Sequence, residues 1–253
     1  MKNWLRPSPH HRPDIWGPWT TLAFGVVIAA VFVLVQFGIV FAYVMYEGVR
    51  GSHIPLRSVA VSFSDNGLAF ALITIASAGV CSALTWWVAR LRKGDGPSDY
   101  LGMRRVRVRT LLAWLTVTAG LIFVSDLVEP LLRHPRGPDF TLSIYRSATF
   151  APLLWFAMVI AAPAFEELFF RGFLLQGLRY SKLGPVVSVV LTALAWAISH
   201  GQYSGAEITE IFVFGLFLGI ARVRTESIYT PIAMHAFVNL VTLIQAALIV
   251  SGR

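Results

Sequence analysis

Ala151-PLLWFAMVIAAPAFEELFFRGFLLQG-Leu178 is an almost uninterrupted apolar run that carries two adjacent carboxylates, Glu166 and Glu167, and one arginine, Arg171. A helix needs roughly 20 apolar residues to cross the hydrocarbon core of a bilayer, and this run is long enough. Taking one carboxylate into that core costs about 2.5 to 3.5 kcal/mol on insertion scales. Two side by side need a compensating reason, and chemistry is the default one.

The rest of the chain has the same character. Of its 253 residues, 56% are hydrophobic and 13% charged, far more apolar than a soluble domain of this size. Apolar runs near 20–46, 67–89, 110–128, 148–178, 184–200, 207–221 and 228–250 predict an all-α polytopic membrane bundle of about seven transmembrane helices. The fifth and sixth runs are short and the fourth is long, which predicts tilt or projection rather than uniform rods. No polar stretch is long enough to bury a core of its own, so residues 1–253 read as a single membrane-embedded domain with its catalytic core at about 148–250. Thr20 to Tyr46 is charge-free and too long for a signal-peptide core, and is expected to stay as the first span.

The net charge of +8 does not point to nucleic acid, because the basic residues cluster beside apolar spans, as topology signals and anionic-lipid contacts do. Lys2, Arg6, Arg12, Arg90, Arg92, Lys93, Arg104, Arg105, Arg107, Arg109, Arg179, Lys182, Arg222 and Arg224 fall on the side of the N-terminus. Arg50, Arg57, Arg133, Arg136, Arg146 and Arg253 fall on the other. This bias predicts a cytoplasmic N-terminus, and a prokaryotic plasma membrane is the expected location. The stretch Asp99 to Thr110 alternates arginine with Met and Val, and reads as an interfacial segment or a topology-fixing basic loop. The lone cysteine, Cys81, reads as core packing.

Three helices supply polar groups that need one another. Glu167 and Arg171 are four apart and share a helix face, where an ion pair offsets part of the burial cost of each. Glu166 is turned about 100° away, so one carboxylate is structural and the other free to act. Pro163 removes a backbone hydrogen bond at the same depth and can kink the helix there. His200 ends the fifth run and is nearly as far as Glu166 from the turn between the two helices, so in an antiparallel hairpin the two can meet; Trp196 shares the face of His200. His235 and Asn239 are four apart in the seventh run. The cheapest way to satisfy all of these groups is one wet cavity. Asp126, Glu207 and Glu210 read as interfacial, with Glu207 or Glu210 at the cavity mouth as the alternative, and His10, His11, His53 and His134 fall in loops without a role.

Glu166-ELFF-Arg171, Trp196-AIS-His200 and His235-AFV-Asn239, in this order, resemble the CAAX protease and bacteriocin-processing (Abi) family of intramembrane proteases. The family pattern is Glu-Glu-x-x-x-Arg, Phe-x-x-x-His and His-x-x-x-Asn/Asp, so Trp196 stands where the pattern has phenylalanine. The resemblance covers roughly Ala148 to Val250. It implies hydrolysis of a peptide bond in a membrane-associated protein or peptide. By the same resemblance Glu166 is the base that activates water and His200 helps to position that water. His235 and Asn239 are the oxyanion stabilisers, while Glu167, Arg171 and Trp196 support them.

Amide hydrolysis needs a base for water and a donor for the developing oxyanion, and a low-dielectric cavity strengthens the donor. No cofactor is required by that chemistry. Glu166, His200, His235 and Asn239 are also acceptable ligands for zinc or another divalent metal, although the H-E-x-x-H helix motif is absent. A proton- or ion-coupled transporter is a second reading of buried carboxylates and histidines, against which stands the lack of an inverted repeat. An inactive scaffold or immunity relative is a third, with no need to keep all four residues. Lipid and a peptide substrate are the expected partners.

Overall fold

A computed structural model describes residues 15–50, 66–92, 94, 96–128 and 140–252, and among them there is no strand. Among the described residues nine helices follow one another: α1 (Pro18–Val49), α2 (Gly67–Leu91), α3 (Pro97–Leu101), α4 (Val108–Val128), α5 (Phe140–Ser147), α6 (Ala151–Arg179), α7 (Gly184–Ile198), α8 (Gly205–Thr225) and α9 (Tyr229–Val250). The protein is an all-α integral membrane bundle. All seven expected runs are helical; among the described residues α1, α2, α4, α6 and α9 are long and apolar enough on their own to cross a membrane, and α7 and α8 fall outside that set. The readings of His10, His11, His53 and His134, and of Lys2, Arg6, Arg12, Arg57, Lys93, Arg133, Arg136 and Arg253, lie outside the described residues.

The two exceptions have physical causes. With 15 residues, α7 is about 22 Å long at 1.5 Å per residue, short of the roughly 30 Å hydrocarbon core. Its end and the turn that follows therefore lie inside the thickness of the bundle. Non-helical backbone at that depth is tolerated only where it is buried in protein or lines a watery cavity. The other exception, α8, is long enough but carries Glu207 in its first turn and Arg222 and Arg224 in its last.

Local chemistry sets the helix ends. Asn66 caps α2, its side chain accepting from the N–H groups of Leu68 and Ala69 at 3.0 Å each. Ser204 and Glu207 form a reciprocal capping box at the start of α8. Gly102 ends α3 at φ 73°, a left-handed conformation that an L side chain resists, and a Cβ there would collide with the Arg222 guanidinium.

The basic stretch after α2 is docked rather than merely laid on a surface. Tyr100 and Leu101 are buried, Tyr100 stacks on Phe173 with centroids 5.9 Å apart, and burial pushes the Tyr100 hydroxyl up to about 12. The Ile228 N–H donates to Gly102 O at 2.8 Å and the Ser227 hydroxyl to Arg104 O at 2.5 Å. Arg104, Arg105, Arg107 and Arg109 remain exposed.

At the centre lies α6, the most buried of the five spans. Its Phe165 stacks on Phe32 of α1 and on Phe169, with centroids 5.3 and 5.9 Å apart, in a core that also holds Phe173, Trp196, Leu218 and Met234. Cys81 is buried in this core, as expected. Large apolar residues on the outer faces, among them Val26, Phe37, Phe123, Val186 and Ile198, are half or more exposed, as a lipid-facing surface requires.

Gly177 is where α6 touches α1, and a Cβ there would collide with the buried Thr21 side chain. Overpacking of this kind costs about 1 to 3 kcal/mol. Gly177→Ala should therefore lower the thermal midpoint of the protein in detergent. Gly79→Ala, where a Cβ meets nothing within 4 Å, should leave it unchanged or raise it slightly.

Candidate active site

Two irregular stretches of α6 bracket the glutamates. Phe156–Ala161 and Leu168–Leu174 are π-helix, and Ala162–Glu167 between them is α-helix. In a π-helix each N–H reaches the carbonyl five residues back, and such stretches are frequent at functional sites. Accordingly the Ala162 N–H donates to Ala157 O. The next bond in that series would run to Met158 O from residue 163, and Pro163 has no N–H to give. Asn239 fills the gap from α9, its Nδ2 donating to Met158 O at 2.7 Å. The kink expected at Pro163 is thus realised as a widened turn whose orphaned carbonyl is taken up by a neighbouring helix.

Glu167 and Arg171 are both fully buried. Arg171 Nη1 donates to Glu167 Oε1 at 2.9 Å and Nη2 to Gly215 O at 3.3 Å. The approach to α8 depends on the absence of a side chain, since a Cβ on Gly215 would stand 3.2 Å from Nη2 and 3.0 Å from Trp196. The face of the guanidinium lies 4.5 Å from the Trp196 ring centre, a cation–π contact in a desolvated setting. His235 Nδ1 lies 3.0 Å from the same Glu167 Oε1, so an N–H at Nδ1 donates to the carboxylate. One carboxylate therefore ties α6 to α9 and orients the imidazole.

Glu166 points elsewhere, as its 100° offset demands. Its side chain keeps 21% of its surface exposed, and Oε2 accepts from Trp196 Nε1 at 2.5 Å. His200 Nε2 stands 3.8 Å from the same oxygen, beyond hydrogen-bond length. Nδ1 of His200 lies 2.8 Å from Trp196 O, and because a carbonyl only accepts, Nδ1 carries the proton. Trp196 thus holds both partners of the pair, one through its indole and the other through its backbone. Phenylalanine at this position offers no indole N–H, so Trp196 does more than wall the site.

All seven residues singled out in the sequence converge. Trp196, His200, His235, Asn239 and Met158 line a cavity of about 840 Å³ between α4, α7, α8 and α9, with Glu166 just behind the Trp196 and His200 side chains. Asp126 is not merely interfacial, since it lines the cavity together with Glu207 and Glu210. Phe214 and Tyr203 also border it, their rings packing on His235 and His200 with centroids 6.4 and 6.1 Å away. Nothing in the sequence marked these two. Gly215 and the Met158 carbonyl were equally hidden, although Pro163 and the small residues of α8 were the signals to follow.

As a metal site the donor set fits poorly. Nδ1 of His235 is engaged by Glu167, and the Asn239 amide nitrogen faces a carbonyl. Glu166 Oε2 and His200 Nε2 stand 3.8 Å apart, and among the described residues no group of three His, Cys, Asp or Glu is placed to hold a metal ion.

Residues 148–241 match the family described as Rce1-like, type II CAAX prenyl endopeptidase Rce1-like, and all seven site residues fall within that span. A protein of Escherichia coli described as an uncharacterized 24.3 kDa protein is 28% identical over 126 residues, which is 48% of this chain and 58% of the relative. The chain thus matches under two thirds of that relative's length. No solved structure matches it.

Removing one partner of a buried ion pair leaves the other uncompensated, at a cost of about 3 to 5 kcal/mol. Glu167→Gln should therefore lower the thermal midpoint in detergent sharply. Glu166→Gln, at a partly exposed group with no ion pair of that kind, should leave it near the parent value.

Proposed function

We propose, from the match of residues 148–241 to the Rce1-like type II CAAX prenyl endopeptidase family, that the protein is an intramembrane peptidase in which Glu166 and His200 activate water to hydrolyse a peptide bond. The observation that carries this reading is the 3.8 Å separation of Glu166 Oε2 and His200 Nε2 with the proton of His200 fixed on Nδ1. Both facing atoms are then acceptors. A water between them donates one hydrogen to each and turns a lone pair outward, toward a carbonyl carbon brought into the cavity.

Attack moves the pair of electrons from water oxygen to the carbonyl carbon, while the water proton passes to Glu166. The oxygen that gains charge needs a donor. His235 supplies it as the doubly protonated imidazolium, with one N–H donated from Nδ1 to Glu167 and the other on Nε2, toward the lumen. The second amide hydrogen of Asn239 serves alongside it. Collapse of the tetrahedral intermediate breaks the C–N bond, and the proton held on Glu166 goes to the leaving amine. In this scheme Glu167 and Arg171 touch no reacting atom, and their part is to orient His235. The catalytic core is residues 148–250, and water with these side chains suffices without zinc or another metal.

General acid–base residues contribute about 10²- to 10⁴-fold. His200→Ala should lower kcat for a fluorogenic peptide at least 100-fold by this principle, and exhaustive chelation of the parent should leave its rate unchanged. A rate lost on chelation and restored by zinc would put a metal in the reaction instead. Trp196→Phe keeps the aromatic wall but removes the donor to Glu166, and a hydrogen bond to a charged group is worth about 1.5 to 3 kcal/mol. It should lower kcat about tenfold or more with KM little changed; an equal loss in thermal stability with kcat intact would make Trp196 a packing residue only.

A further inference from the structure

The cavity has a direction. His200 and His235 lie at its floor, where α7 stops short, and its outer wall is made by the last turns of α4 (Ser125, Asp126), the first turns of α8 (Glu207, Glu210) and the last turns of α9 (Gln245, Ile249). If the seven longer helices α1, α2, α4, α6, α7, α8 and α9 alternate in direction, as consecutive crossings do, these ends share a face with the C-terminal end of α1. The opposite face carries Arg90 and Arg92 ending α2, the four arginines between Arg104 and Arg109, Arg179 and Lys182 at the α6–α7 turn, and Arg222 and Arg224 ending α8. The cavity face carries Arg50 and Arg146 among the described residues. Lysine and arginine are retained in the cytoplasm during insertion, so the cavity face is the translocated one.

The wall also has a sign. Among the described residues Asp126, Glu207 and Glu210 line the cavity and no Lys or Arg does. Their hydrogen bonds go to neutral groups: Asp126 Oδ2 accepts from Gln245 Nε2 at 3.3 Å, Glu210 Oε2 from the Ser125 hydroxyl at 2.9 Å, and Glu207 Oε2 from the Ser204 N–H at 2.8 Å. Below them the wall is apolar, with Leu121, Ile122, Ile211 and Val238. The floor holds a polar group of its own, the His235 side chain, only 5% exposed, with Nδ1 already fixed.

We propose that this cavity receives its peptide from the extracytoplasmic face, and that the peptide carries lysine or arginine beside an apolar stretch. The apolar stretch occupies the wall and the cation meets the three carboxylates at the mouth. Gln245, which holds Asp126, is ten residues beyond His235 on α9, about 15 Å along the axis. An extended peptide covers that distance in about four or five residues, which places the cation that far from the bond to be cut. This inference rests on the peptidase reading only in naming that bond.

Two measurements test it without requiring cleavage. The purified full chain in nanodiscs of zwitterionic lipid is titrated with two fluorescein-labelled apolar peptides that differ only in a Lys-Lys or a Glu-Glu pair, and anisotropy is read. The Lys-Lys peptide should bind about tenfold more tightly. That margin should fall to near unity in the triple variant Asp126→Asn, Glu207→Gln, Glu210→Gln, and in the parent as ionic strength approaches about 1 M, where the Debye length is about 3 Å. Equal affinities in the parent at low salt, or a margin that survives both changes, would overturn the charge assignment. For the face, cells producing Thr209→Cys or Arg105→Cys are treated with a membrane-impermeant maleimide, the buried Cys81 being silent. Thr209→Cys should label in intact cells and Arg105→Cys only after permeabilisation; labelling of Thr209→Cys only after permeabilisation would overturn the extracytoplasmic assignment. A protein that passes both tests yet cuts no peptide would fail as a peptidase while keeping this cavity, so the two claims fail separately.

Discussion

Glu167 Oε1 receives two hydrogen bonds in a place with no water-exposed surface, one from Arg171 and one from His235, and the remainder of the site is arranged around that atom. A buried carboxylate without such partners would be prohibitively costly, and a buried arginine more so. Together they fix the relative positions of α6, α8 and α9, because the other arm of Arg171 reaches the Gly215 carbonyl. Once those three helices are locked, the orientation of Glu166 follows from one step of helix geometry. It faces α7, where Trp196 and His200 receive it.

Two departures from regular helix make room for polar chemistry inside an apolar bundle. The π turn at Phe156–Ala161 frees the Met158 carbonyl, which brings Asn239 to the cavity wall. The shortness of α7 ends a helix at mid-depth, so that His200 sits on a turn rather than within a rod. Neither departure is a defect of the fold. Each leaves backbone groups that only a neighbouring side chain or a wet cavity can satisfy, and this structure provides both.

Much of this was legible in the residue order. Apolar runs of sufficient length located every described helix except the short α3 and α5, since a bilayer permits little else. The four-residue spacings of Glu167 with Arg171, Trp196 with His200 and His235 with Asn239 placed each pair on one face, and the hairpin distance correctly brought His200 to Glu166. What stayed hidden were interactions that depend on backbone geometry rather than residue type. The π stretches have no period of their own, so the Met158 carbonyl and its capture by Asn239 could not be read. Gly215 matters for what it lacks. Asp126 looked like an ordinary helix-end carboxylate because the cavity beside it is made by α8 and α9, which are far away in sequence. For α7 and α8 helix length and end charges, which mean apolarity does not display, set the two apart from the longer spans.

The central claim is that Glu166, held by Trp196 and facing His200, is the base that takes the proton from water. Single-turnover cleavage of a fluorogenic peptide by the purified protein and by Glu166→Gln, with thermal unfolding of both followed in the same detergent, tests it most directly. The account predicts a loss of at least about 100-fold in rate with the thermal midpoint essentially unchanged. Cleavage by Glu166→Gln at the parent rate would contradict it.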